Sequence, residues 1–493
     1  MKTRNYILFY LNGERHQISG DQAGVMLSDY LRYHKNLTGT KIVCAEGDCG
    51  ACSVLRFFPY YSGKKKNIFL PINSCVTTVA QMDGSHLVTV DALAKPALTA
   101  QPEHTPVQKA MMNCHGSQCG FCTPGFVMAL TGLVEKKICQ KQTEITSADA
   151  KNATTGNLCR CTGYQPIIDA AKNISIPESE SVMKRFYSSA SQKEIEQHLK
   201  VPVKITSENF SFFAPIKLKE ALAYLGKNKS VRIVGASTDL GVVHNKRKLR
   251  LTQALSLHLI PELYDIEKDG KTRLSVGARV TLSDLRLYVK DLIPEFAKFL
   301  DLFASPQIKN VATLVGNVAN ASPIADTPPF LLTMNTEVEI HGPKGKRFVK
   351  LESFFLDYRK INLSPKELIV ALHFDIPQKN ESLALYKISQ RKDLDISAVN
   401  FAARVAWADK EKTKIKDIKL AFGGVAATTV RLYKTEKSLT NEKVSAEKLA
   451  QALELLHTEI TPLSDLRATS AFRHVVAENL FHKFFREQGV GHE

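Results

Sequence analysis

The pattern of apolar and polar positions changes character several times along the chain. Over residues 1–93 short apolar runs alternate with polar residues and predict strands, the first two joined by Asn12-Gly13, which is typical of a tight hairpin turn. One helix-like stretch, near 25–32, interrupts them. Over Pro106–Asn173 apolar residues recur at helical spacing. Strands and helices then alternate, and a helix from about Ser464 closes the chain.

A polar segment separates the helical part from the alternating part. Residues 174–203 are rich in Ser, Glu, Lys and Gln and poor in large apolar side chains. Such a composition buries too little apolar surface to offset the entropy lost on ordering. The segment is therefore predicted to be a linker between domains, partly disordered.

Composition narrows the class of protein. At 493 residues the chain is too long for one core, and its 44% hydrophobic and 23% charged residues are ordinary for a globular protein. The net charge is +17, but the basic residues are scattered, which favours a solvated basic surface over a nucleic-acid site. No run reaches the roughly 20 apolar residues of a membrane span, and Tyr6–Leu11 is too short for a signal-peptide core. We therefore expect a cytoplasmic protein with no membrane partner.

The ten cysteines all lie within the first 161 residues. Clustered cysteines in a chain without an export signal more often ligate metal than form disulfides. Cys44, Cys49 and Cys52, with Cys75 downstream, follow the C-x4-C-x2-C…C spacing of plant-type 2Fe–2S proteins. A zinc site or buried free thiols are the alternatives, but zinc ligands usually come as two C-x2-C pairs.

A second set consists of Cys119 and Cys122, spaced C-x2-C, and Cys159 and Cys161, spaced C-x-C. Each pair stands beside a predicted helix start, so four thiolates can converge at helix ends. Taken alone this spacing fits zinc as well as iron. Beside the first set it favours a second 2Fe–2S cluster, and two adjacent clusters are typical of an electron-transfer chain. Two cysteines remain without an assigned role, Cys114 and Cys139.

Several long motifs resemble the xanthine dehydrogenase and molybdenum hydroxylase family, in that family's order. Three are in the cysteine-rich part: Cys44–Cys52, His115–Gly125 and Cys159–Pro166. Two resemble the family's flavin-binding loops: Val234–Gly241 and Phe303–Asp326. Two more resemble the domain that closes its flavoprotein part: Leu420–Val425 and Pro462–Arg467.

The resemblance implies a multidomain α+β fold with four domains and a linker. These are a β-grasp 2Fe–2S ferredoxin-like domain (1–93), a four-helix 2Fe–2S domain (94–173), the linker (174–203), an FAD-binding domain of the vanillyl-alcohol-oxidase-like type (204–378) and a C-terminal CO-dehydrogenase-flavoprotein-like domain (379–493). No length is left for the family's molybdenum part. The resemblance therefore implies an electron-transfer subunit whose partner is a large molybdopterin-bearing subunit, in a heterotetramer of two small and two large chains.

The same resemblance implies a route and its residues. Electrons from purine hydroxylation on the partner pass through the two clusters to FAD and then to NAD, with no catalytic residue for hydroxylation in this chain. Gln118 is expected beside the partner's pterin. The residues implied at the FAD are Gly235, Ala236, Ser237, Thr238, Asp239, Leu240, Phe303, Thr313, Gly316, Asn317, Ser322, Asp326 and Lys387.

Read physically, the flavin loops are weaker signals than the cysteines. Small residues after a strand let backbone N–H groups cradle a pyrophosphate, but such turns are common without that role. Lys387 has an ordinary alternative as an exposed strand lysine. Val315 replaces a family glycine, and Ile388 and Leu394 replace polar family residues next to the flavin, so the acceptor stays open between NAD and oxygen. An aldehyde or other N-heterocycle substrate, or a free-standing NADH:acceptor reductase, also fits this chain.

Overall fold

A computed structural model describes residues 3–58, 68–94, 103–176, 178–270, 272–392 and 394–490. The fold separates into two compact units. The first comprises Met1–Pro261 together with Ser305–Ala312, and the second comprises Glu262–Ala304 and Thr313–Glu493. Within the described ranges, no helix is long and apolar enough to cross a membrane.

The first unit begins with a five-stranded mixed sheet in the order β2-β1-β5-β3-β4. The predicted hairpin is confirmed, since Asn12 and Gly13 have φ of 55° and 86°, the values that a two-residue turn of this kind requires. β1 pairs antiparallel with β2 and parallel with β5, as a β-grasp sheet does. The strands are β1 (Ile7–Leu11), β2 (Glu14–Ile18), β3 (Ser53–Phe57), β4 (Leu70–Asn73) and β5 (His86–Val88). The predicted helix near 25–32 is a short α-turn, Leu27–Asp29, continued by a π-turn.

Four helices follow, as predicted, and pack on the sheet through one apolar core. The second has proline in its first turn, and the third is capped by Thr146, which accepts from Asp149 N–H. The four helices are Pro106–Asn113, Thr123–Cys139, Ser147–Thr154 and Gln165–Lys172.

The predicted disorder of the linker is wrong. Within 174–203 the chain forms helices Val182–Phe186 and Ser189–Leu199, the second capped by Ser188. Ile195 and Leu199, four residues apart on one helix face, are fully buried in the core of the first unit. Burial of these two apolar side chains stabilises the helix although the segment is polar on average. A prediction from average composition therefore missed it.

A four-stranded sheet in the order β6-β7-β9-β8 completes the first unit. Its strands are β6 (Val203–Thr206), β7 (Ser211–Ala214), β8 (Arg232–Val234) and β9 (Gln253–Ser256), and its helices are Leu218–Lys227 and Leu240–Asn245. The inserted segment Ser305–Ala312, with the short helix Pro306–Lys309, belongs to this unit as well.

The second unit holds two larger sheets. The first has the order β10-β11-β16-β12-β13, from β10 (Ile266–Asp269), β11 (Arg273–Gly277), β12 (Glu337–Gly342), β13 (Gly345–Lys350) and β16 (Leu368–Asp375). A small hairpin, β14 (Phe355–Asp357) and β15 (Lys360–Ile361), stands apart from it. The helices of this part are Leu282–Val289, Pro294–Leu302, Leu314–Ala319 and Thr327–Thr333.

The other sheet of the second unit runs in sequence order, β17 (Glu381–Ile388), β18 (Val399–Trp407), β19 (Ile415–Gly423) and β20 (Val430–Arg431). Three helices cover it and share its core: Tyr433–Leu439, Ala446–Glu459 and Ser470–Glu487. The last begins after the cap Thr469, a few residues later than the predicted start at Ser464. The prediction of a multidomain α+β fold is confirmed.

Candidate iron–sulfur and flavin sites

The structure brings the first four cysteines together. Cys44, Cys49 and Cys52 lie on the loop that leads into β3, and Cys75 lies on the 3-10 turn after β4. Cys49, Cys52 and Cys75 are buried, with 8%, 2% and 2% of their surface exposed. The thiols of Cys49 and Cys75 contact that of Cys44, which lowers the pKa of Cys44 and raises the pKa of its two neighbours, so these thiols are close enough to share protons.

Backbone and amide groups hold this loop. The N–H groups of Glu46 and Cys49 each donate to the sulfur of Cys44 at 3.4 Å. The loop can curl in this way because Gly47 and Gly50 have φ of 75° and 67°, which side chains rarely adopt. Asn245 stabilises the cysteine loop, because its Nδ2 donates hydrogen bonds to the carbonyl oxygens of Ala45 and Cys75, both at 2.8 Å.

The second four cysteines also meet. Cys122 caps the helix Thr123–Cys139, and Cys159 and Cys161 lie on the turn before the helix Gln165–Lys172. The sulfurs of Cys119 and Cys161 are 3.2 Å apart. Cys122 contacts Cys159, and burial raises the pKa of Cys122 to about 12. Cys159 is positioned further by Thr162, whose hydroxyl lies 3.1 Å from its sulfur.

Within each set the thiols contact one another. In the first set Cys44 contacts Cys49 and Cys75, and Cys75 also contacts Cys52. In the second set Cys119 contacts Cys161, and Cys122 contacts Cys159. Among the described residues, no group of three or more His, Cys, Asp or Glu side chains is arranged around a single ion. Each iron of a 2Fe–2S cluster takes two thiolates, so the donor set fits two such clusters.

The two thiol sets differ in exposure. Cys119 and Cys161 are exposed, as is Gln118, whereas three of the four cysteines of the first set are buried. Beside the second set apolar side chains are exposed as well: Phe121 by 54%, and Tyr164, whose hydroxyl accepts from Cys159 N–H, by 38%. This surface, Gln118–Cys119–Phe121–Cys161–Tyr164, is called here the outer face of the helical domain.

The two sets are joined by close backbone packing. The N–H of Leu158, next to Cys159, donates to the carbonyl oxygen of Cys49 at 3.0 Å. A Cβ on Gly50 would lie 2.2 Å from the oxygen of Gly156, and a Cβ on Gly125 would lie 2.3 Å from the oxygen of Gly50. Only glycine at these points lets the two loops approach so closely.

The two predicted flavin loops lie in different units, and each has its own geometry. The first, Gly235–Leu240, joins β8 to the helix Leu240–Asn245. Ser237 has φ of 65°, is 4% exposed, and its Oγ has no partner among the described residues. A buried hydroxyl of this kind is rare unless a ligand completes it, so this loop fits a phosphate-bearing cofactor. Gly241 has a packing role, since a Cβ there would meet the Val76 oxygen at 2.2 Å.

The second loop is organised by its own side chains. Thr313 caps the helix Leu314–Ala319, its Oγ1 accepting from Gly316 N–H at 2.9 Å, and Asn317 Oδ1 accepts from Thr327 Oγ1 at 2.6 Å. Gly316 is exposed, and Phe303 and Ser322 are half-buried. Val315 is buried within this helix, so the side chain that replaces the family glycine is accommodated by ordinary helical packing.

Asp326 lies at the centre of a buried polar cluster. Lys387 Nζ is 2.6 Å from its Oδ2, and the Lys387 side chain is only 2% exposed, which excludes the alternative of an exposed strand lysine. Ser397 Oγ donates to Oδ1 at 2.5 Å and Asn400 Nδ2 donates to it at 3.1 Å. Ser397 and Asn400 were not among the residues predicted from the sequence. The signal for Asn400 was a single amide in strand β18, where Arg404 is the one other polar side chain.

Comparisons with known protein families match three stretches of the chain. Residues 89–172 match the family described as "[2Fe-2S] binding domain", 208–378 match "FAD binding domain in molybdopterin dehydrogenase", and 384–488 match "CO dehydrogenase flavoprotein C-terminal domain". Together the three models cover most of the chain and are consistent with the iron–sulfur and FAD-binding parts of a molybdenum hydroxylase. Its cofactors are 2Fe–2S clusters and FAD.

Curated relatives cover nearly the whole chain. It is 27% identical to "Xanthine dehydrogenase 1" of Arabidopsis thaliana over 97% of its length, and 27% identical to "Aldehyde oxidase 1" of Bos taurus over 99%. The chain spans about two fifths of the length of these relatives, 39% and 40%. A solved structure of carbon monoxide dehydrogenase from Hydrogenophaga pseudoflava has a similar fold, with a TM-score of 0.53 at 23% identity, covering 56% of this chain and 96% of that one.

Proposed function

We propose that this chain is the electron-transfer subunit of a xanthine dehydrogenase. It takes electrons from purine hydroxylation on a large partner subunit that holds the molybdopterin cofactor, and it delivers them to NAD. The observation that carries the proposal is the arrangement of the two thiol sets: one is exposed on the outer face of the helical domain, the other is buried, and the Leu158–Cys49 hydrogen bond joins them.

When bound, the two clusters supply one-electron sites and FAD supplies a site that exchanges one or two electrons. Eight thiolates hold the irons: Cys44, Cys49, Cys52, Cys75, Cys119, Cys122, Cys159 and Cys161. The N–H groups that donate to the Cys44 sulfur stabilise negative charge there and so raise the reduction potential of the buried cluster. Val76, Val242 and Ile308 pack against Cys52 and Cys75 and keep water away from them.

The outer face of the helical domain is the proposed docking surface for the partner. Exposed aromatic side chains around a functional residue are typical of an interface core, whereas isolated exposed apolar residues are common everywhere. Gln118 is proposed to lie beside the partner's pterin because it stands next to Cys119 on this face. On the flavin side, Lys387 balances the charge of Asp326 within a buried cluster, which holds the carboxylate in one orientation.

The substrate class has a second candidate. The chain is 27% identical to an aldehyde oxidase, which lies within the 26–29% that it shares with xanthine dehydrogenases, so an aldehyde or another N-heterocycle is the alternative substrate.

The test is co-purification of the full chain under anaerobic conditions, followed by molybdenum analysis and assays with xanthine, an aldehyde and NAD. We expect a molybdenum-bearing partner and xanthine-dependent NAD reduction. Phe121→Glu should abolish the partner's binding while the iron and FAD contents stay unchanged, whereas Tyr358→Glu, an equally exposed aromatic in the second unit, should leave the complex intact. Turnover of the aldehyde alone would favour the second candidate. A flavin reduced by NADH with no partner and no molybdenum would overturn the proposal.

A further inference from the structure

One segment of the flavin-side sequence lies among the iron–sulfur loops. The resemblance placed Ser305–Ala312 within the second flavin loop, yet the fold assigns these eight residues to the first unit, while the residues on both sides belong to the second. Gln307, near the start of this segment, is completely buried.

The amide of Gln307 reaches both thiol-bearing loops. Its Nε2 donates to Asn157 Oδ1 at 2.9 Å and to Ser53 Oγ at 3.2 Å. Asn157 in turn donates through Nδ2 to the carbonyl oxygen of Gly50 at 3.1 Å. Gln307, Asn157 and Gly50 therefore form a continuous hydrogen-bonded row, called here the amide row.

The amide row runs beside the contact between the two clusters. Gly50 directly follows Cys49, and Asn157 directly precedes Leu158, so both partners of the Leu158–Cys49 hydrogen bond adjoin the row. Ser53 reinforces the same point, since its Oγ also donates to the Gly50 oxygen, at 2.7 Å. Because only one or two residues separate them, a displacement of Gln307 changes the geometry of the Leu158–Cys49 hydrogen bond.

The fit around Gln307 is tight. A Cβ on Gly156 would lie 2.0 Å from Gln307 Oε1, so glycine is required there for the glutamine to enter. That oxygen has no hydrogen-bond partner among the described residues. Burying a carbonyl in this way is costly, and such exceptions in native proteins call for a specific reason. The two hydrogen bonds that Gln307 Nε2 donates are therefore the specific reason for a glutamine at this position.

We propose that Gln307 is a positioning residue for electron exchange between the two clusters. It holds the loops of Cys49 and Cys159 at the separation that the Leu158–Cys49 hydrogen bond requires. With both clusters bound, that separation would let one electron leave the iron of one cluster and reduce the iron of the other, with no bond made or broken. The inference rests on the proposed function in that both thiol sets carry clusters. It adds a role, outside flavin binding, for a residue of the second flavin loop.

The test compares variants of the full chain. Gln307→Met keeps the size of the side chain and removes both donor bonds, and Gln307→Glu places an oxygen against Asn157 Oδ1. Asn310→Ala is the matched control, because Asn310 lies on the same segment and donates to Pro71 O at 2.8 Å, away from the inter-cluster contact. Iron and FAD contents, the magnetic coupling between the two reduced-cluster EPR signals, and the rate of inter-cluster electron transfer by freeze-quench EPR are measured for each.

Both Gln307 variants should retain the iron and FAD of the wild type but show weaker magnetic coupling and a several-fold slower electron transfer, because both quantities fall steeply as the distance between the two clusters increases. Asn310→Ala should match the wild type. Unchanged coupling and rate in both Gln307 variants, or the same loss in Asn310→Ala, would overturn the positioning role while leaving the proposed function intact. A wild-type chain without the second cluster would instead refute the proposed function, and the inference with it.

Discussion

The backbone N–H of Leu158 lies 3.0 Å from the carbonyl oxygen of Cys49, and this hydrogen bond joins the two thiol sets by their peptide backbones. Leu158 is bonded to Cys49 while being the immediate neighbour of Cys159. The contact depends on backbone atoms rather than on side chains, so the residues that control it are those that control how closely the two loops approach.

The glycines at this contact should therefore be sensitive to the smallest enlargement. Gly125→Ala places a methyl group 2.3 Å from the Gly50 oxygen, and overpacking of this kind costs about 1–3 kcal/mol. Thermal unfolding should show a lower midpoint, and the EPR coupling between the clusters should weaken. Gly226→Ala is the control, because it lies in a helix with nothing within 4 Å of the added Cβ, and it should be neutral or slightly stabilising. Equal effects of the two substitutions would contradict the close-approach argument.

The second thiol set should be separable from the rest of the protein. Cys119→Ser removes an exposed ligand, and we expect the iron content to fall from about four to about two per chain with FAD retained. Cys139→Ser, at the end of the helix Thr123–Cys139 and outside both sets, should leave the iron content unchanged. Colorimetric analysis measures the iron content of both variants, and EPR shows which cluster signal is lost. Retention of all the iron in Cys119→Ser would show that the four thiols do not act as one ligand set.

His86 should make the fold sensitive to acid. It is 1% exposed, packed among Tyr10, Phe57 and Tyr187, and burial lowers its pKa to about 4. In the unfolded chain it titrates near its ordinary value of about 6.5, so between these values the unfolded state binds a proton that the folded state does not. Stability is fully present above pH 6.5 and is lost as the pH falls towards 4, by about 3 kcal/mol.

The check is urea unfolding of the wild type and of His86→Phe at several pH values between 4 and 7.5. The difference in unfolding free energy between the two should shift in favour of the variant as the pH falls, and His34→Gln, at an exposed position, should behave as the wild type. A difference independent of pH would show that His86 is not held neutral.

The Asp326–Lys387 pair should behave as a buried ion pair that also contributes to flavin binding. Lys387→Met leaves the Asp326 carboxylate without its cation, and breaking such a pair costs about 3–5 kcal/mol. Adding Asp326→Asn removes the uncompensated charge and should restore much of the stability. If the cluster also serves the flavin, the double variant should remain deficient in FAD, as measured by fluorescence of the released flavin. Full FAD content in the double variant would restrict the pair to a structural role.

The sequence predicted the parts of this protein that depend on local spacing. The hairpin at Asn12-Gly13, the four helices and the meeting of Cys44, Cys49, Cys52 and Cys75 follow from patterns within one stretch of chain. What it missed depends on contacts between distant segments. The missed hydrogen bonds join residues that are about 70 to 200 positions apart in the sequence. They are those of Asn245 with the first cysteine loop, of Ser397 and Asn400 with Asp326, and of Gln307 with Asn157.

The errors have the same origin. The linker was predicted to be partly disordered from its average composition, whereas Ile195 and Leu199 find a core supplied by strands far away in the sequence. The run Phe303–Asp326 was read as one loop, yet the fold divides it, because Gln307 and Ile308 contact the iron–sulfur part. A sequence motif identifies a functional stretch of the chain, but it does not show which part of the protein each of its residues contacts.

Metal and flavin analysis is the decisive test for the presence of two 2Fe–2S clusters and one flavin on this chain. The full chain is purified anaerobically under reducing conditions, and its iron, zinc and FAD contents are measured together with its EPR spectrum after reduction. We expect about four irons and one FAD per chain, no zinc, and two distinct EPR signals. About two irons accompanied by zinc would contradict this expectation, since Cys119, Cys122, Cys159 and Cys161 would then form a zinc site.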